Sequence, residues 1–190
     1  MARFHRTLFI ISALGLAWLL MQALHEVGHV VSAWLTGGTV TKLVLHPLSI
    51  SRTDVEPNPA PLTVAWGGPV LGSLLPALAW AITEFGKLTS RFYFRFLCGF
   101  CLIANGLYLG VGSFGAIGDA GDILRYGSPI WLLWLFGLLT VPVGLSLWNG
   151  LGPAFGIGAH AATIPARLAY SFAGLLLAIL LFELTFFSAR

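Results

Sequence analysis

The sequence predicts an all-α polytopic membrane protein of about five transmembrane helices, with a short membrane-surface β segment after the first. Three observations lead there. Of 190 residues, 57% are hydrophobic and only 9% charged, and the mean hydropathy is +0.89, whereas soluble domains carry about 25% charged residues. Apolar runs long enough to cross roughly 30 Å of hydrocarbon alternate with polar or Gly/Pro-rich islands. One island, Thr39–Val55, is rich in β-branched residues and partly alternates apolar with polar. The net charge of +3 comes from ten basic and seven acidic residues. No basic run is dense enough for a nucleic-acid surface, and the excess fits loop charges beside anionic lipid.

Arg3 and Arg6 precede the first apolar run in the manner of a signal peptide. The run is too long for one, however, and carries polar residues that cleavage would remove, so it reads as a retained span. Leu8–Leu35 would be about 42 Å long as a helix, more than the hydrocarbon core, so it must tilt or project. Gly37-Gly38 ends it.

The last third of this span reads Leu24-His25-Glu26-Val27-Gly28-His29-Val30, an H-E-x-x-H pattern. Residues four apart share a helix face, so His25 and His29 can offer two imidazole nitrogens to one zinc ion. Glu26 lies one step round the helix. There it can act on a water beside the metal as general base, and later as proton donor, without ligating the ion. Charged residues deep in a bilayer cost roughly 2.5–3.5 kcal/mol on insertion scales. Two histidines and a glutamate within five residues of an apolar span therefore demand a partner, and a metal ion is one; a polar helix-contact cluster is the other.

After the strand-like Thr39–Val55, the Pro57-Asn58-Pro59-Ala60-Pro61 run is a stiff linker. His46, just before Pro47, reads as a surface histidine. Leu62–Ile82 is the second span. Its Gly67-Gly68-Pro69 and Gly72-Ser73 allow close helix approach or form a wall of a substrate groove, with Gly68 and Pro69 as candidate substrate contacts. Glu84–Arg95 reads as a polar loop. Phe96–Gly112, the third span, carries Asn105, which can hydrogen-bond a neighbouring helix or hold substrate backbone. The two cysteines, Cys98 and Cys101, fall near the start of this span with no adjacent basic residue to favour a thiolate, and read as buried packing.

Ser113–Gly127 is a second polar island. A catalytic zinc site takes three protein ligands and leaves the fourth position open. Asp119 and Asp122 are the best acidic choices for the third, and three residues apart they share a helix face. Either is also a good helix N-cap. Pro129–Leu147 is the fourth span. The Gly/Pro-rich Trp148–Arg167 follows, with His160 a weaker third-ligand candidate, and Leu168–Phe187 is the last span. In this arrangement both polar islands reach the same membrane face, His25 and His29 near the exit of the first span and Asp119 near the exit of the third. Basic residues slightly favour a cytoplasmic N-terminus, counting Arg3, Arg6, Lys87, Arg91, Arg95 and Arg167 against Lys42, Arg52, Arg125 and Arg190.

These residues resemble the site-2 protease family of intramembrane zinc metalloproteases, as a small, minimal member. The likeness rests on His25-Glu26-Val27-Gly28-His29 followed by Gly37-Gly38, on the strand-like Thr39–Ser51, on Gly67-Gly68-Pro69, and on Asp119-Ala120-Gly121-Asp122-Ile123-Leu124. It covers roughly Leu8 to Leu124. In the register of that last block Asp119 is the third ligand and Asp122 is not. Gly118 and Ala120 stand where the family has Leu and Gly, so Asp122 stays the alternative.

The resemblance implies one transmembrane peptidase domain over residues 1–190, with a catalytic core near 8–127 and C-terminal helices near 129–187. It implies one Zn2+ ion held by His25, His29 and Asp119, with Glu26 as catalytic base. It further implies hydrolysis of peptide bonds in or near a membrane-spanning substrate helix, in a multi-pass protein of the cell membrane. The expected partners are a membrane-protein substrate helix and the bilayer, with no nucleic acid. The alternative is a non-catalytic membrane protein that binds zinc or a client helix.

Overall fold

The first apolar run forms one unbroken helix, α1 (Ala2–Leu35), in a computed structural model that describes residues 1–47 and 50–187. Leu48, Ser49 and residues 188–190, with the Arg190 of the charge count, lie outside the described residues. At 34 residues α1 is about 51 Å long, so it projects beyond a bilayer core, as its length requires. Its end is built by Gly37, whose φ of +78° suits a residue without a Cβ. Gly38 N–H then donates to Ala33 O at 2.8 Å, satisfying a terminal carbonyl.

The β-branched stretch forms a two-stranded antiparallel hairpin, β1 (Val40–Val44) and β2 (Arg52–Val55). The register pairs Lys42 with Asp54 and Val44 with Arg52, with an irregularity between Val40 and Lys42. Four further long helices follow, α2 (Pro61–Phe85), α3 (Arg91–Gly115), α5 (Ile130–Trp148) and α6 (Ala166–Phe186), with a short α4 (Gly118–Arg125) between α3 and α5. A 3-10 turn at Gly152–Phe155 lies before α6. Among the described residues, five helices are long and apolar enough to cross a membrane.

The expected polar loop Glu84–Arg95 is much shorter than the sequence suggested. α2 runs to Phe85 and α3 begins at Arg91. Lys87 stays in the turn, but Arg91 and Arg95 are carried by α3 and each has a polar partner near the helix end. Arg91 lies 3.6 Å from Glu84, and Arg95 donates to Asn149 O at 2.9 Å.

Packing divides the molecule into two ends. At the N-terminal end of α1, Phe9, Tyr93, Phe155 and Ala169 join helices α1, α3 and α6 to the 3-10 turn in one aromatic cluster. At the other end, Ala65, Leu109, Ala120, Ile123 and Leu133 bind α4 to α2, α3 and α5. Ala120 and Ile123 are both 0% exposed and lie three residues apart, so they present one face. That anchorage fixes how α4 is rotated. α3 and α5 come together at small residues, where a Cβ on Gly137 would strike Gly106 O and one on Gly144 would strike Gly99 O. Cys98 and Cys101 are free thiols and buried in α3, as the apolar span requires.

Candidate metal centre

α1 and α2 cross where α1 carries its polar residues. The crossing is close because both helices lack side chains there. A Cβ on Gly28 would run into the Gly67 backbone, and one on Gly67 would run into Ser32. A Cβ on Gly68 would meet the rings of both His29 and His25. Gly68 therefore packs against the Nε2 edges of both imidazoles, and Pro69 is fully buried beside it. Neither belongs to the lining of the cavity in front of the site. Both take part in the close packing of α2 on α1.

His25 and His29 are buried, at 8% and 7% exposure. His29 Nδ1–H donates to Val64 O at 2.7 Å, an atom that can only accept. His25 Nδ1–H donates to Asn105 Oδ1 at 2.7 Å. The Asn105 amide is turned that way because its Nδ2 donates to Cys101 O at 2.9 Å. Both neutral imidazoles are thereby fixed with Nε2 as the lone-pair nitrogen. Such a hydrogen bond behind a histidine is the usual outer support of a metal ligand. Asn105, a candidate substrate contact by sequence, makes these protein contacts and also borders the cavity.

The two Nε2 atoms face the carboxylate of Asp119. His25 Nε2 lies 2.7 Å from Asp119 Oδ2, His29 Nε2 lies 3.3 Å from the same oxygen, and the two Nε2 atoms are 3.2 Å apart. Three acceptor atoms thus converge, and one proton cannot satisfy them all. A tetrahedral ion bonded at about 2.0–2.2 Å would hold its donors roughly 3.3 Å apart; the 3.3 and 3.2 Å separations match this, and the 2.7 Å one would open on binding zinc. Among the described residues these three side chains form a group able to hold a metal ion. His160 is exposed, and neither it nor His46 belongs to that group.

Burial would push the Asp119 carboxyl up, but with the imidazoles protonated and no ion between them, hydrogen bonds from His25 and His29 and their charge hold it well below the usual carboxylate range. The carboxylate form is therefore the one presented to the site. Asp122 points elsewhere, with its carboxylate half-exposed and 3.6 Å from Arg125. Gly118 explains the departure in the sequence block before Asp119. Its φ is +54°, and a Cβ there would collide with the Tyr108 hydroxyl, so a Leu would not fit. Tyr108 Oη in turn accepts the Asp119 backbone N–H at 3.1 Å.

Glu26 is 2% exposed, and Thr53 Oγ1 donates to its Oε2 at 2.7 Å. The hairpin thus reaches over the site and holds an acidic side chain that borders the same cavity as the imidazoles without belonging to the converging set. In front lies a cavity of about 1050 Å³ bordered by His25, Glu26, His29 and Asp119.

Three supports escaped the sequence reading: Thr53, the Val64 carbonyl and Tyr108. Tyr108 had a signal, since it lies three residues after Asn105 on the same face of an apolar helix. Thr53 and Val64 had none. No curated protein and no solved structure matches the chain. A family model does, Peptidase M50B-like, over residues 7–141.

Proposed function

The chain belongs to the Peptidase M50B-like family, and from that premise we propose that it is a zinc-dependent intramembrane endopeptidase. Membership and five apolar helices make it a multi-pass membrane protein; the cell membrane is its proposed location. Its proposed substrates are membrane proteins cut in or near a transmembrane segment.

The observation that carries this reading is the convergence of His25 Nε2, His29 Nε2 and Asp119 Oδ2, with Glu26 beside them on the cavity. His25, His29 and Asp119 would hold the ion. Zinc bound there supplies a Lewis acid that makes water a nucleophile near neutral pH and polarises a carbonyl. Glu26 is then the general base. One of its oxygens is held by Thr53, and the other is left to take the proton of the attacking water. Glu26 returns that proton to the nitrogen of the leaving amine.

A substrate helix must unwind first, because its backbone groups are otherwise paired and its carbonyls shielded. Strand-like pairing with the Thr39–Ser51 segment is a means of holding it extended.

The test is Glu26→Gln, in purified protein reconstituted with a labelled transmembrane peptide. The expected outcome is a loss of cleavage of at least about 100-fold with one zinc per chain retained. Cleavage that survives Glu26→Gln would exclude Glu26 as the base. Zinc retained by a wild-type chain that cleaves no peptide would favour a non-catalytic zinc- or client-binding protein.

A further inference from the structure

Gln22 stands on α1 three residues before His25 and four before Glu26, so it shares their face. It is 8% exposed and borders the same cavity. Its Nε2 is buried and has no hydrogen-bond partner among the described residues. A carboxamide donor left unsatisfied in an apolar span is unfavourable and marks a functional position. At the far side of the metal ligands stands Asn58, between β2 and α2. It borders the cavity too, and its Oδ1 is a buried acceptor with no partner among the described residues. Thr39 N–H donates to Pro57 O at 3.1 Å, which pins Asn58 beside the end of α1. Along α1 the order is therefore Gln22, then His25, Glu26 and His29, then Asn58.

We propose that Gln22 and Asn58 are the two ends of a cradle for extended peptide backbone. Gln22 Nε2 donates to a substrate carbonyl on one side of the scissile bond, and Asn58 Oδ1 accepts a substrate N–H on the other. This rests on the peptidase reading and gives it a selection rule. The rise of α1 from Gln22 to its end is about 20 Å, which an extended chain covers in about six residues. An extended peptide offers both an unpaired carbonyl and an unpaired N–H. A lipid acyl chain offers neither, and a helical segment has already paired both. The cradle therefore admits the unwound part of a substrate and rejects the wound part.

The test uses the full-length, zinc-loaded Glu26→Gln chain in detergent, so that binding is read without turnover. The probe is a fluorescein-labelled apolar heptapeptide, followed by anisotropy. Gln22→Met, nearly isosteric but without a donor, is expected to weaken binding about tenfold, and Asn58→Ala by a similar factor, with zinc content unchanged. Single backbone N-methylations and thioamides in the probe examine the same bonds without altering the protein. At least one of each is expected to weaken binding to the parent chain and to have no further effect on the matching variant.

Binding within about twofold of the parent in Gln22→Met, with zinc retained, overturns the cradle and leaves the peptidase reading intact. If Gln22→Met loses zinc, the modified probes decide, and indifference of the parent to every thioamide overturns the Gln22 half. A parent chain that holds zinc but binds no peptide overturns both readings together.

Discussion

Thr53 and Glu26 are 27 residues apart in sequence, yet the threonine hydroxyl donates to the glutamate carboxylate at 2.7 Å. Through that bond the hairpin fixes the rotamer of the proposed base. A carboxylate on a two-carbon stem, otherwise free to swing in the cavity, is held with one oxygen engaged. Thr53→Val keeps the shape and removes the donor. It is expected to lower turnover about tenfold with little change in KM and with full zinc content, while Thr53→Ser keeps most of the rate. Steady-state cleavage beside metal analysis checks this. Unchanged turnover in Thr53→Val would show that the hydrogen bond does not position the base.

The ligand set is decided by metal content. Asp119→Ala and His25→Ala are each expected to purify without stoichiometric zinc. Asp122→Ala is expected to keep it, since that carboxylate is nearest Arg125. Asp122→Ala losing zinc while Asp119→Ala keeps it would reverse the assignment.

Asn105 supports His25 from behind, so Asn105→Leu is expected to weaken zinc binding by about 10–100-fold. Competition against a zinc-sensitive dye measures this directly. An affinity equal to wild type would mean that His25 holds its orientation without help.

Gly68 is where α2 has no room for a side chain. Gly68→Ala is expected to destabilise the fold by about 1–3 kcal/mol and to displace the imidazoles, with loss of zinc. Gly174→Ala, where a Cβ meets nothing within 4 Å, is the neutral comparison. Thermal unfolding in detergent reads both, and equal melting temperatures would refute the close packing.

Imidazoles bind zinc only when unprotonated. Asp119 is held well below the usual carboxylate range, so it stays ionised across the neutral region and adds little pH dependence there. The two histidines add most of it. Falling pH puts protons in competition with the ion, so zinc affinity is expected to drop more than tenfold from about pH 7.5 to about pH 5.5. An isothermal titration series checks the slope, and a flat series would be incompatible with two histidine ligands.

Much of this molecule was legible in its sequence because the relevant forces are local. Hydropathy set five spans, with boundaries wrong chiefly at the start of α1, which begins at Ala2 rather than Leu8, and at Glu84–Arg95, where Arg91 and Arg95 extend α3 with polar partners at its end. Helical periodicity put His25 and His29 on one face, and β-branched alternation marked the hairpin. The choice between Asp119 and Asp122 was not local. It followed from the burial of Ala120 and Ile123, which rotates α4 so that Asp119 meets α1 and Asp122 meets solvent and Arg125. Gly68 had shown itself only as a small residue in an apolar span. What it makes room for became visible once α2 crossed α1.

The sequence by itself determined the spans, the pair of imidazoles and the acid beside them, since each depends on the repeat of a helix or the thickness of a bilayer. Only the tertiary structure decided which carboxylate completes the set, and that Thr53, the Val64 carbonyl and Tyr108 hold the site in place. Those hydrogen bonds join distant segments, and a contact between distant segments leaves no period in the chain to be read.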